Sequence, residues 1–241
     1  MRYKVTVQYH GGAYFGWQKQ VSERTIQGEI ETRLSQIFNQ EITIHASGRT
    51  DAKVHARGQV FHFDGPPFSV RKLKYALNRM LPKDIEILSI IHVGDDFHAR
   101  FSAKEKTYCY VIVPKQKDPF LSDKVLFYPF PLDIRKIRKA AKQFIGTHDF
   151  SNFTSKPEDE ALFLRAITKV SVRKVEDDIH IMFTGNGFMR GQIRFMVGTL
   201  LALNEGKIAD DYISLKLSQK HREIVPFKVP GDGLYLLKVL Y

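Results

Sequence analysis

Gly48-Arg49-Thr50-Asp51-Ala52-Lys53-Val54-His55-Ala56-Arg57-Gly58 lies between two strand-like runs, 42–46 and 59–63. A polar, glycine-bounded segment between two strands reads as a loop on a rigid scaffold, where functional residues concentrate. It sets one carboxylate, Asp51, among the cations Arg49, Lys53 and Arg57. An acid ringed by bases suits chemistry on a polyanion. An ordinary surface ion-pair loop would carry the same pattern, and these eleven residues alone leave both readings open.

Working outward, Tyr3, Val5 and Val7 alternate with polar residues, which predicts a half-buried first strand. A glycine- and aromatic-rich loop follows, to about Arg24. Thr25 can cap a helix whose apolar stripe is Ile26, Ile30, Leu34, Ile37 and Phe38. A second helix uses Val70, Leu73, Leu77 and Met80 and stops before Pro82, and residues 85–92 read as a strand. The order is βαββαβ, the split βαβ unit of ferredoxin-like type. From Lys106 the order restarts with longer loops: strands over 106–113, 168–175 and 179–183, helices over 134–145 and 188–204, and a closing strand with Leu234, Leu236 and Tyr241. The expectation is therefore an α+β chain of two ferredoxin-like halves, 1–104 and 105–241, with antiparallel sheets side by side and a cleft between them.

The 241 residues carry 43% hydrophobic side chains, enough for real cores, and a net charge of +11. Up to Glu105 there are 15 bases and 11 acids, and beyond it 22 and 15, so the excess belongs to the whole body and not to a tail. A spread positive surface favours a polyanion such as folded RNA. One cysteine, Cys109, leaves no internal disulfide and no thiolate metal cluster. The start of the chain alternates like a strand, and no run approaches transmembrane length, so a cytoplasmic setting without membrane contact is expected.

Six ordered blocks resemble the tRNA pseudouridine synthase A family. They are the stretch already quoted, Tyr9 through Gln18 (YHGGAYFGWQ), Phe97 through Ala103 (FHARFSA), Lys106 through Tyr110 (KTYCY), Gly146 through Phe153 (GTHDFSNF), and Gly185 through Arg194 (GNGFMRGQIR) running into Val197-Gly-Thr-Leu. Two departures stand inside them: Lys53 where the family commonly has glycine, and Arg190-Gly191-Gln192 where it has a bulkier, less polar run. The resemblance implies isomerisation of uridine to pseudouridine in the anticodon arm of tRNA, at positions 38, 39 and 40, by a homodimer that uses no cofactor.

It also implies roles for residues. Asp51 becomes the essential carboxylate, Arg194 its ionic partner, Tyr108 the ring packed against the target uracil, and Arg49 the group that assists base flipping. From spacing alone Tyr108 is a core tyrosine on one strand face with Tyr110 and Ile112, and Arg49 could be a phosphate clamp. His55, four residues after Asp51, invites a metal-ligand reading, but HExxH and CxxC spacings are absent, so no metal is expected and His55 orders the loop. Gly11 and Gly12 with Tyr14, Phe15, Trp17, Gln18 and Lys19 suit an RNA-gripping loop, with Trp17 and Phe15 as core fillers in the alternative. Arg57 and Arg190 join Arg24, Arg71, Arg79 and Lys169 as candidates for phosphate contacts. Lys53 adds a charge beside Asp51 and should remove access to positive φ. A non-catalytic RNA-binding relative, or a metal-dependent nuclease using Asp51 and His55, are the competing functions.

Overall fold

The structure is a computed structural model that describes residues 1–155, 163–219 and 221–241. By contacts the chain divides into Met1–Lys104 with Tyr235–Tyr241, and Glu105–Leu234. The last seven residues group with the first unit and not with the residues that precede them in the chain.

In the first unit, β1 (Arg2–Tyr9), α1 (Ile26–Phe38), β2 (His45–Ala46), β3 (His55–Asp64), α2 (Val70–Met80) and β4 (Ile85–Val93) follow the βαββαβ order. Their spatial order is β4-β1-β3-β2, antiparallel at each pairing, as ferredoxin-like connectivity requires. Tyr3, Val5, Val7 and Tyr9 turn inward from β1, and the fully buried Ile26, Ile30, Leu34, Leu73 and Leu77 supply the helical side of the core. Each such side chain is worth roughly 1.5–3 kcal/mol of burial. The Thr25 hydroxyl caps α1 by accepting from Gly28 N at 3.3 Å. The α2 helix ends at Met80, where Leu81 is extended ahead of Pro82.

Strand 42–46 shrinks to its last two residues, because Ile42 N donates to Ser35 Oγ (3.0 Å) and Ile44 N to Glu31 Oε1 (3.1 Å). Those backbone donors are satisfied by side chains of α1 and need no ladder. Conversely β3 starts four residues early, at His55. Its opening residues pair in parallel with the chain's last strand, β10 (Leu234–Leu240), through Tyr235↔His55 and Leu236↔Ala56. No local pattern announces a partner about 180 residues away.

The second unit holds β5 (Glu105–Val113), β6 (Leu126–Phe127), α3 (Ile134–Ala141), β7 (Gly146–Asp149), β8 (Leu164–Val175), β9 (Asp178–Gly185), α4 (Gln192–Asn204) and α5 (Tyr212–Ser218). Its sheet runs β5-β9-β8-β7, antiparallel, with β6 parallel on β5. The fold is thus mixed α+β with mostly antiparallel pairing. Helix α4 begins at Gln192 and not at Phe188, because Gly191 sits at φ +73° and breaks the helical path before it. Helix α3 ends at Ala141 and gives way to a 3-10 turn over Lys142–Phe144. β6, β7 and α5 are short and carry no periodicity visible in the sequence.

Candidate active site

Two buried side chains fasten alternate residues of the signature. Gln59 Nε2 donates to Gly48 O (2.8 Å), while its Oε1 accepts from Ser47 Oγ (2.5 Å) and Val60 N (3.1 Å). The Tyr9 hydroxyl lies 2.8 Å from Thr50 Oγ1, and burial raises its pKa well above the ordinary phenol value. With Gly48 and Thr50 held inward, Arg49 is exposed and Asp51 is half-buried.

The chain then turns tightly. Val54 N donates to Asp51 O at 3.2 Å, and Lys53 occupies the third position of that four-residue turn at φ +65°. A type II turn demands positive φ there and so favours glycine. The expectation that lysine would forbid this conformation is overturned: Lys53 adopts it, exposed, with its backbone N donating to Tyr14 O at 3.2 Å.

That bond is one of several clamping the first loop onto the turn. Trp17 N donates to Thr50 O (3.1 Å), and Gly11 N to His55 Nδ1 (3.0 Å). Gly16, at φ +91°, packs so closely that a Cβ would stand 2.6 Å from Thr50 O and 3.0 Å from the Asp51 carbonyl carbon. His55 is buried in β3, stacked on Tyr235 (4.5 Å between ring centres) and near His10 (4.6 Å). Because its Nδ1 accepts a backbone hydrogen bond, a neutral His55 carries its proton on Nε2. Among the described residues no group of three or more His, Cys, Asp or Glu side chains could hold a metal ion.

The aromatic residues of this loop divide between the two readings drawn from sequence. Trp17 is 1% exposed and packs against Tyr9 and Phe61, so it is a core side chain that RNA does not reach in this conformation. Tyr14 is buried too, its hydroxyl donating to Asp84 Oδ1 (2.6 Å) under the Arg24 guanidinium (4.5 Å). Phe15, which the core-filling alternative would bury, is 57% exposed. Gln18 is half-buried and Arg57 exposed. Arg49, Asp51, Lys53, His55, Arg57, Trp17 and Gln18 therefore belong to one clamped assembly in the first unit. Tyr9, Gln59 and Tyr235 complete it. They were not singled out because their roles depend on which strands become neighbours.

The second unit holds the other candidates. Tyr108 sits on β5 opposite Phe183 of β9, 8% exposed, with Phe188 edge-on to its ring (5.3 Å, 79°). Arg194 is half-buried in the first turn of α4, its Nε donating to Val229 O at 2.9 Å. Its charge acts on the neighbouring core: burial raises the Tyr110 hydroxyl pKa, and Arg194 opposes that rise. Arg190 is exposed, and its carbonyl accepts from Thr154 Oγ1 (2.9 Å) and Ser155 N (3.2 Å). Burial pushes the Cys109 thiol up to about 12, which leaves it without nucleophilic character at neutral pH.

A rigid turn that offers one carboxylate among cations, in a chain with an excess charge of +11, has the makings of an enzyme that acts on nucleic acid. The sequence profile of the family described as "tRNA pseudouridine synthase" matches residues 5–102 and 140–241. "tRNA pseudouridine synthase A 1" of Bacillus cereus (strain ATCC 14579) is 42% identical over 244 residues, covering 100% of this chain and 98% of its own. "tRNA pseudouridine synthase A" of Streptococcus uberis is 40% identical over 245 residues, with the same coverage. A Cbf5-Nop10-Gar1 complex gives a TM-score of 0.38 at 13% identity, over 82% of this chain and 53% of that one, too distant to bear on the site. The chain belongs to the tRNA pseudouridine synthase family and is an isomerase acting on tRNA.

Proposed function

We propose that the enzyme isomerises uridines 38, 39 and 40 in the anticodon arm of tRNA, with Asp51 as its essential residue. The observation that supports this best is the clamped turn, in which Tyr14, Gly16 and Trp17 on one side and Gln59 on the other hold the backbone flanking Asp51. The reaction breaks the C1′–N1 bond, rotates the base and forms a C1′–C5 bond. The proton on C5 is lost and N1 gains one, so the change is redox-neutral. A stacked uridine is out of reach of any side chain and must be flipped out, at a cost of a few kcal/mol.

Arg49, exposed two residues from Asp51, fills the vacated space or holds the displaced strand. Arg194 is the ionic partner of that carboxylate, and Tyr108 packs against the flipped uracil. His55 and Lys53 shape the turn, and Arg57, Gln18 and Arg190 contact the tRNA backbone. The functional unit is a homodimer in the cytoplasm. The test is pseudouridine mapping of an unmodified tRNA transcript incubated with wild type or Asp51→Asn. Pseudouridine in the anticodon arm with wild type alone, at undiminished tRNA affinity of the variant, is expected. Activity surviving in Asp51→Asn overturns the assignment of Asp51. Tight binding by wild type without any pseudouridine in the arm overturns the choice of target.

A further inference from the structure

Phe15 is held outward, 57% exposed, between Tyr14 and Trp17, which are 2% and 1% exposed. A lone exposed apolar side chain is common on protein surfaces and by itself means nothing. Three further observations set this one apart. The backbone on either side of it is fastened to the turn that carries Asp51: Tyr14 O accepts from Lys53 N, Gly16 lies against Thr50 O, and Trp17 N donates to Thr50 O. Phe15 N is itself tied to Arg24 O at 3.0 Å, so the ring rides on backbone that cannot swing away from the site. Lys53 is exposed across the turn, and the Arg24 side chain, 45% exposed above Tyr14, is ion-paired with Glu29 at 2.8 Å.

We infer that Phe15 is the stacking platform for the nucleobase that flanks the target uridine in tRNA, an inference that rests on the synthase reading above. Extruding a uridine leaves its neighbour with one face unstacked. An aromatic ring is the sequence-tolerant partner for that face, because every base presents a π-surface. A ring already fixed by its loop loses little conformational freedom when the base arrives. The positive charge of Lys53 across the turn suits a phosphate beside that nucleotide.

Phe15→Ala, Phe15→Tyr and Phe15→Leu are compared with wild type in tRNA affinity, in single-turnover pseudouridine formation, and in quenching of 2-aminopurine placed beside the target uridine. Phe15→Ala should raise Kd about 5- to 100-fold, the range expected for losing one base–aromatic stack. It should also abolish the quench at one of the two flanking positions. Phe15→Tyr should stay within about twofold of wild type, and Phe15→Leu should recover affinity only in part. The inference is overturned if Phe15→Ala binds like wild type, if leucine serves as well as tyrosine, or if the quench survives in Phe15→Ala. A melting temperature lowered by more than about 5 °C in Phe15→Ala would instead mark the ring as part of the core, and would also overturn it. Absence of pseudouridine with the wild-type chain defeats the synthase reading, whereas the affinity and quench series still decides whether Phe15 stacks on a base.

Discussion

Replacing Lys53 by glycine should stabilise this protein, although it removes a side chain. Lys53 sits at φ +65° in the Asp51–Val54 turn, a conformation that costs an L-residue roughly 1–2 kcal/mol. Glycine is relieved of that cost but brings a more flexible unfolded chain, which offsets about 0.4–1 kcal/mol. The difference is a net gain of about 0.5–1 kcal/mol. The Tyr14 contact uses the Lys53 backbone N, which glycine keeps. For a chain of this size the gain corresponds to a rise in melting temperature of about 1–4 °C. Differential scanning calorimetry at pH 7.5, with Lys53→Ala measured beside Lys53→Gly, separates the two effects of the substitution. Alanine removes the charge but retains the left-handed strain, so its melting temperature should match wild type within a degree or so. If Lys53→Gly melts no higher than Lys53→Ala, the turn is not strained by its lysine. The positive charge at position 53 then becomes the remaining reason for departing from glycine.

Gly16→Ala should cost about 2–4 kcal/mol, combining left-handed strain with a Cβ 2.6 Å from Thr50 O. Gly206→Ala, at φ +72° with nothing within 4 Å, should cost only the conformational part; equal losses in the two melting curves would refute the close approach. His62 is pushed down to about 4, by burial first and then by His98, Arg2 and His45, with Asp64 opposing. The unfolded chain then takes up the proton near pH 6.5 while the native state refuses it. Stability is therefore full above pH 6.5 and declines as pH falls toward 4, by at most about 3 kcal/mol from this residue. His62→Asn preserves an acceptor for Ala99 N, which His62 Nδ1 takes at 3.1 Å, and should flatten that decline in urea melts between pH 7 and 4.5. An undiminished slope would assign the acid sensitivity elsewhere, with His98, also lowered, as the next residue to replace.

Which parts of this molecule could be read from its sequence follows from the range of the forces involved. Helices α1 and α2 are written locally: a capping Thr25 or Ser69, apolar residues three and four apart, and a stop set by Asn39 or Pro82. The β1 alternation is equally local. The first unit's βαββαβ order was therefore legible, and so was a loop after β2 that carries Arg49, Asp51 and Lys53. What was not legible depends on distant neighbours. Ile42 and Ile44 alternate like a strand, yet Ser35 and Glu31 on α1 take their N–H groups first. His55 belongs to a strand only because Tyr235 arrives beside it. The first loop shows the limit most sharply. Tyr14, Phe15 and Trp17 are three aromatic residues within four positions, and no periodicity says which of them faces in. Gly16, at φ +91°, turns the chain between them: Trp17 packs in the core beside Tyr9 and Phe61, and Phe15 stays outside. The composition of the loop shows that aromatic rings are available near Asp51. Only the folded path of the loop selects the ring that meets solvent.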